Sequence, residues 1–156
     1  MEEISMSIPL IINDPIDESV LAIIIKGDYE HDGISFFTPD DYSQQLAYMK
    51  HPKGHTIIPH IHNQVHRSVF FTQEVLVIKS GKIRVNFFDK NKAYLESFLL
   101  SQGDTILLAS GGHGFDVLED CEMYEIKQGP YLGEQDKERF AVDIKEYKYH
   151  SEDAWG

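Results

Sequence analysis

The sequence predicts an all-β fold, a sandwich or barrel of antiparallel strands. Short apolar runs bounded by turn residues recur along the chain, one of them alternates with a period of two, and no helical period is sustained before the C-terminus. An aromatic content of 12% suits pleated faces that pack large flat side chains.

Taken in order, the first strand-like run is Val20–Lys26, and Gly27-Asp28 and Asp32-Gly33 separate it from Ile34–Thr38. Pro39-Asp40-Asp41 then leads to Gln45–Lys50. The next run, His55–His62, reads as extended because Pro59 disfavours helix while Ile57, Ile58 and Ile61 favour strand. Glu74–Lys79 and Lys82–Asp89 lie either side of Ser80-Gly81, a turn signal. In the second of these, Ile83, Val85 and Phe87 fall on one face and Arg84 and Asn86 on the other, the pattern of a half-buried strand. Asp89-Lys90-Asn91 precedes Leu95–Leu100, Gln102-Gly103-Asp104 precedes Thr105–Leu108, and Val117–Gln128 adds a final strand or hairpin. The charged, aromatic tail from Gly133 to Gly156 is compatible with a short helix, a late strand or a frayed end. With no internal repeat, low-complexity tract or Pro/Gly/Ser linker, residues 1–156 read as one domain, long enough to bury a sizeable core.

The formal charge of −12, from 26 acidic and 14 basic residues, repels phosphate backbones and anionic bilayers, so neither nucleic acid nor membrane is expected as a partner. Met1-Glu2-Glu3 lacks the positive charge of a signal peptide, and Leu21–Ile25 is too short to span a bilayer, which predicts a soluble cytoplasmic protein. Cys121 is the single cysteine, which excludes an intrachain disulfide; its acidic neighbours disfavour the thiolate. Neither Gly-x-Ser-x-Gly nor a phosphate loop nor a dinucleotide-binding glycine pattern is present.

The chemistry concentrates in Gly54-His55-Thr56-Ile57-Ile58-Pro59-His60-Ile61-His62. Side chains at i and i+2 of a strand share a face, so His60 and His62 are expected to point the same way, with imidazoles close enough to hold one ion. A lone histidine is ordinarily a solvated or hydrogen-bonded residue, and His31, His51, His55 and His150, which lack a partner at ligand spacing, are read that way.

The surrounding pattern resembles the cupin superfamily, whose first motif runs Gly, five residues, His-x-His, three or four residues, Glu, six residues, Gly. Gly54, His60, His62, Glu74 and Gly81 follow it, with Asn63–Gln73 as an insertion ahead of Glu74. The second motif runs Gly, five residues, Pro-x-Gly, two residues, His, three residues, Asn. Gly103 through Gly111 and His113 follow it loosely, with Ala109 for Pro, one residue fewer before His113 and Val117 for Asn. The likeness covers roughly residues 54–127.

This resemblance implies a double-stranded β-helix, or jelly-roll, barrel holding one divalent transition metal through His60, His62, Glu74 and His113. Three imidazoles and a carboxylate suit iron, manganese, nickel, cobalt or zinc, and leave two octahedral positions for water, substrate or dioxygen. His66, on the inserted loop, is the alternative to Glu74 as ligand if the loop folds inward. Arg67 beside it is a candidate anchor for a substrate carboxylate or phosphate, and Lys127, at a strand end near where such barrels open, a candidate contact for an anionic ligand. Gln73 is expected on the face opposite Glu74, while Tyr124 and Tyr131 are candidates for the mouth of the barrel. The expected function is a metal-dependent enzyme, an oxygenase or an isomerase or lyase, acting on a small polar or anionic molecule. The alternative is a non-catalytic metal-containing barrel that binds a sugar or small acid. Exposed sheet edges make a homodimer the default expectation.

Overall fold

The computed structural model of the chain describes residues 8–143. Its strands are β1 (Leu10–Asn13), β2 (Val20–Ile25), β3 (Gly33–Phe36), β4 (Ala47–Lys50), β5 (Glu74–Phe88), β6 (Tyr94–Ser101), β7 (Thr105–Leu108) and β8 (Gly112–Lys127), followed by a short 3-10 helix at Gly133–Asp136. All strand pairing is antiparallel. The main sheet runs β1-β2-β7-β5-β6 with β8 on β5, and β3 pairs with β4 apart from it.

β5 organises the sheet. Its first half pairs with β7 from Glu74↔Leu108 to Val77↔Thr105, and its second half pairs with β6 from Lys82↔Ser101 to Phe88↔Tyr94. β8 follows β5 from Phe88↔Gly112 to Glu74↔Lys127. The β5–β8 register shifts around Ser80 and Lys82, and the β6–β7 turn lies at the same level, where Ile78 exchanges backbone hydrogen bonds with Gly103 and Asp104. The three ribbons therefore bend along one line, and the sheet curls into a half-barrel.

The bend also resets the side-chain alternation. Leu76 and Ile78 before it and Ile83, Val85 and Phe87 after it enter one core, with Ala22, Ile24, Leu100, Ile106 and Leu108. Without the extra residue, Ile83, Val85 and Phe87 would leave that core for the opposite face. Gly81 makes the bend possible: its φ is +83°, and a Cβ there would lie 2.0 Å from the Asp120 carbonyl oxygen.

β2 is an unbroken apolar run because both its faces are covered. Ala22 and Ile24 face the main core, whereas Ile23 and Ile25 join Val75 and Leu107 in a second cluster. Tyr29, Phe37, Tyr42 and Leu46, from in and around the β3–β4 hairpin, pack against that cluster. Asp104, 2% exposed, fastens the bend to the end of β2 by accepting hydrogen bonds from Lys26 Nζ (2.6 Å), Gly27 N (2.8 Å) and Ser101 N (2.8 Å).

Several strands differ from the sequence reading. The runs Glu74–Lys79 and Lys82–Asp89 are one bent strand, because Ser80-Gly81 forms a bulge and not a hairpin turn. The last strand begins at Gly112, ahead of Val117, and β1 adds a strand at Leu10–Asn13. His55–His62 is not a strand: residues 51–73 carry no regular structure, and all of 52–71 is exposed. Among the described residues no strand pairs with it, so its extended propensity is not realised. The tail supplies the 3-10 helix and then an extended stretch whose Phe140 packs edge-on against Phe88, ring centroids 5.2 Å apart. The rest of the tail, with His150, lies outside the described residues. Among the described residues no helix is long and apolar enough to cross a membrane.

Candidate functional site

The curl leaves one face of the half-barrel open. Along β8, His113, Phe115 and Val117 oppose the core residues Phe87, Val85 and Ile83, and Met123, Glu125 and Lys127 oppose Ile78, Leu76 and Glu74. Directly paired residues of neighbouring strands share a face, so these side chains point to the concave side. Among the described residues no further strand covers them: Val117 is 64% exposed, Phe115 and Met123 each 36%.

Glu74 and His113 meet at the mouth of this face. A straight strand of 16 residues spans about 50 Å. Yet Lys127 at one end of β8 is the cross-strand partner of Glu74, while His113 at the other end reaches the same carboxylate. The fold-back accounts for this, helped by the short Ala109–Gly111 link between β7 and β8. Gly111 there has φ +70°, and a Cβ would come within 2.3 Å of Leu21 Cδ2. His113 Nε2 lies 3.4 Å from Glu74 Oε2, within ion-pair range, and both side chains are partly buried. The His113 imidazole beside it holds the Glu74 carboxyl below its ordinary range against the opposing effect of burial, and the charges of Lys127 and Lys137 act in the same direction. The Phe115 ring flanks the imidazole, centroids 5.7 Å apart.

His60 and His62 form a second pair, on the exposed loop. Their rings stand nearly perpendicular with centroids 5.2 Å apart, and His60 Nδ1 donates to the Ile58 carbonyl at 3.0 Å. That bond leaves the Nε2 lone pair of His60 free, the tautomer a metal ligand needs. The i, i+2 spacing thus brings the two imidazoles near one another outside a strand. His66 Nε2 lies 3.4 Å from Ser68 Oγ and Arg67 reaches the Val65 carbonyl, so both residues make local contacts within the loop. His51 and His55, read from the sequence as unpartnered, stack with centroids 4.2 Å apart.

In kind, the donors Glu74, His113, His60 and His62 suit a borderline divalent ion. In place they are two pairs: no group of three or more His, Cys, Asp or Glu side chains is assembled for a metal among the described residues. The four-ligand centre expected from the sequence is therefore not formed in this arrangement. Gln73 turns away from the mouth as expected; its Oε1 accepts weak bonds from Ser43 Oγ (3.4 Å) and Gln44 N (3.3 Å) under the β3–β4 hairpin.

Asp136 and Lys137 escaped the sequence reading. Thr72 Oγ1 donates to Asp136 Oδ2 at 2.9 Å, which ties the 3-10 helix to the chain just ahead of Glu74 and brings Lys137 within electrostatic reach of its carboxylate. Lys127 Nζ lies 5.7 Å from the centroid of the Tyr131 ring. The chain matches no family model, no curated protein and no solved structure.

Proposed function

We propose that the protein is a metal-dependent enzyme of the cupin type, with a jelly-roll-like barrel, that acts on a small polar or anionic molecule at the mouth of the concave face. The observation that carries this reading is the Glu74–His113 pair: two residues the motif resemblance nominates as ligands lie 3.4 Å apart on an open, largely apolar face. Completing the site requires the 51–73 loop to fold toward that face and bring His60 and His62 to the pair.

The loop's composition supports such a closure. Ile57, Ile58, Ile61, Val65, Phe70 and Phe71 are all exposed on it, and Phe115, Val117 and Met123 are exposed on the face it would cover. Burying each large apolar side chain contributes about 1.5–3 kcal/mol, so the two surfaces have a shared driving force to meet. A loop this long without regular structure is typically functional or disordered, and one bearing a ligand pair fits the former. The bound ion would supply Lewis-acid or oxygen chemistry. The chain's own contribution is to hold His113 through Glu74 and to exclude water with the apolar loop.

Metal analysis of protein purified without chelator tests this reading. Wild type is expected to hold one equivalent of a divalent transition metal, with His60→Ala, His62→Ala, Glu74→Gln and His113→Ala each losing most of it. Failure of the wild type to load any metal from the iron-to-zinc series overturns the proposal. Full metal content in the His60 and His62 variants overturns the four-ligand set. If loaded protein never turns over candidate substrates or consumes oxygen, the non-catalytic binding barrel is the surviving reading.

A further inference from the structure

Among the described residues, most basic side chains are already neutralised locally. Lys26, Lys50, Lys79, Lys90 and Lys92 each have a carboxylate oxygen within the 4.0 Å range of an ion pair, as do Arg84 and Arg139. Among the described residues, four bases have no such partner: Lys53 and Arg67 on the exposed loop, and Lys127 and Lys137. The last two flank Glu74.

Their positions are built by the fold. Lys127 ends β8 directly across from Glu74, on the concave side, with Tyr131 against its ammonium. Tyr131 is itself 80% exposed, and Lys127 is partly buried. Lys137 follows the 3-10 helix that the Thr72–Asp136 bond pins beside the start of β5. The carboxylates nearest in the chain and in register are Glu74, beside His113, Asp136, engaged by Thr72, Glu138, paired with Lys92, and Glu125, two residues before Lys127 on the same strand face. Glu134 is paired with Arg139. Lys127 thus stands across from a partly buried carboxylate that has an imidazole beside it, and Lys137 follows the helix pinned just ahead of that carboxylate.

We propose that Lys127 and Lys137 form the anion-receiving flank of the site, taking a carboxylate or phosphate group of the small-molecule ligand and placing the rest of that ligand over Glu74 and His113. The proposal deepens the functional reading above and rests on it. In a protein of net charge −12, which repels anions at long range, recognition of an anionic ligand needs such a local reversal of field.

Titrations of the full chain with inorganic phosphate, malonate and uncharged glycerol, followed by NMR shifts of the His113 and Tyr131 rings, test it and separate phosphate from carboxylate sources. Saturable shifts are expected with at least one anion and none with glycerol. Lys127→Ala/Lys137→Ala should weaken anion affinity about tenfold, whereas Lys127→Arg/Lys137→Arg should stay within about threefold of wild type because the charge is kept. Circular dichroism confirms folding, and Lys127→Gln and Lys137→Gln singly replace the double variant if it unfolds. No saturable binding of either anion, or unchanged binding after both charges are removed, overturns the inference. Metal content is the separate readout: lysine-dependent anion binding without metal loading overturns only the metal reading, and metal loading with lysine-independent anion binding overturns only this one.

Discussion

Replacing Gly81 with alanine probes the bend on which the candidate site depends. The new Cβ would stand 2.0 Å from the Asp120 carbonyl oxygen and 2.8 Å from the Cys121 Cα. Both are backbone atoms of β8, so relief requires the two ribbons to separate by about 1 Å to reach ordinary contact. Holding an L-residue at φ +83° adds about 1–2 kcal/mol, and overpacking of this kind costs about 1–3 kcal/mol. The sum, about 2–5 kcal/mol, is a large fraction of the 5–15 kcal/mol that typically holds a domain together. Gly33→Ala is the matched control, since Gly33 has φ +81° with nothing within 4 Å of its added Cβ. It should lose only the conformational part, about 1–2 kcal/mol. Urea unfolding of both variants reads the difference, and NMR contacts between the Glu74 carboxyl and the His113 ring report whether the mouth survives. If Gly81→Ala is no less stable than Gly33→Ala, the bend does not depend on close approach of β5 and β8, and the account of how Glu74 and His113 meet fails.

Other outcomes follow from the same geometry. Asp104→Ala strands the Gly27 and Ser101 amides and the Lys26 ammonium around a buried position, and should cost about 3 kcal/mol in urea unfolding. Asp116 is held below its ordinary pKa of 3.8 by the Asn86 side-chain bond and then by Arg84. A carboxyl lowered in the folded state contributes stability above its unfolded pKa and loses it as pH falls, so Asp116→Asn should flatten the stability–pH curve below about pH 4. Because that side chain is 41% exposed, its loss at pH 7 should cost only about 1 kcal/mol, read from the unfolding midpoint. Trypsin should cut the metal-free chain quickly at Lys53 and Arg67 on the exposed loop, and more slowly once metal is added; equal rates would count against closure of the loop.

How far these features were legible in the sequence depends on the range of the information that sets them. The Val20–Lys26 and Thr105–Leu108 runs and the facing of Ile83, Val85 and Phe87 depend on local apolar patterning, and the structure has strands there with those faces inward. Ser80-Gly81 has the residues of a hairpin turn and of a bulge alike. Only the opposite ribbon, which shifts register between Glu119 and Glu122, turns it into a bulge, and that partner is distant in sequence. His55–His62 has the β-branched content of a strand but pairs with no strand among the described residues, so strand propensity there is not realised, although the short spacing still keeps His60 and His62 side by side. The contact between Glu74 and His113 lies between these cases. Neither residue's neighbours announce it, yet the glycine turn before His113 and the glycine bulge after Glu74 are both visible in sequence, and together they bring the two ends of β8 back to one carboxylate. The polar centre is thus set by where the ribbons bend, and the residues that define the site most directly are two glycines that contribute no chemistry to it.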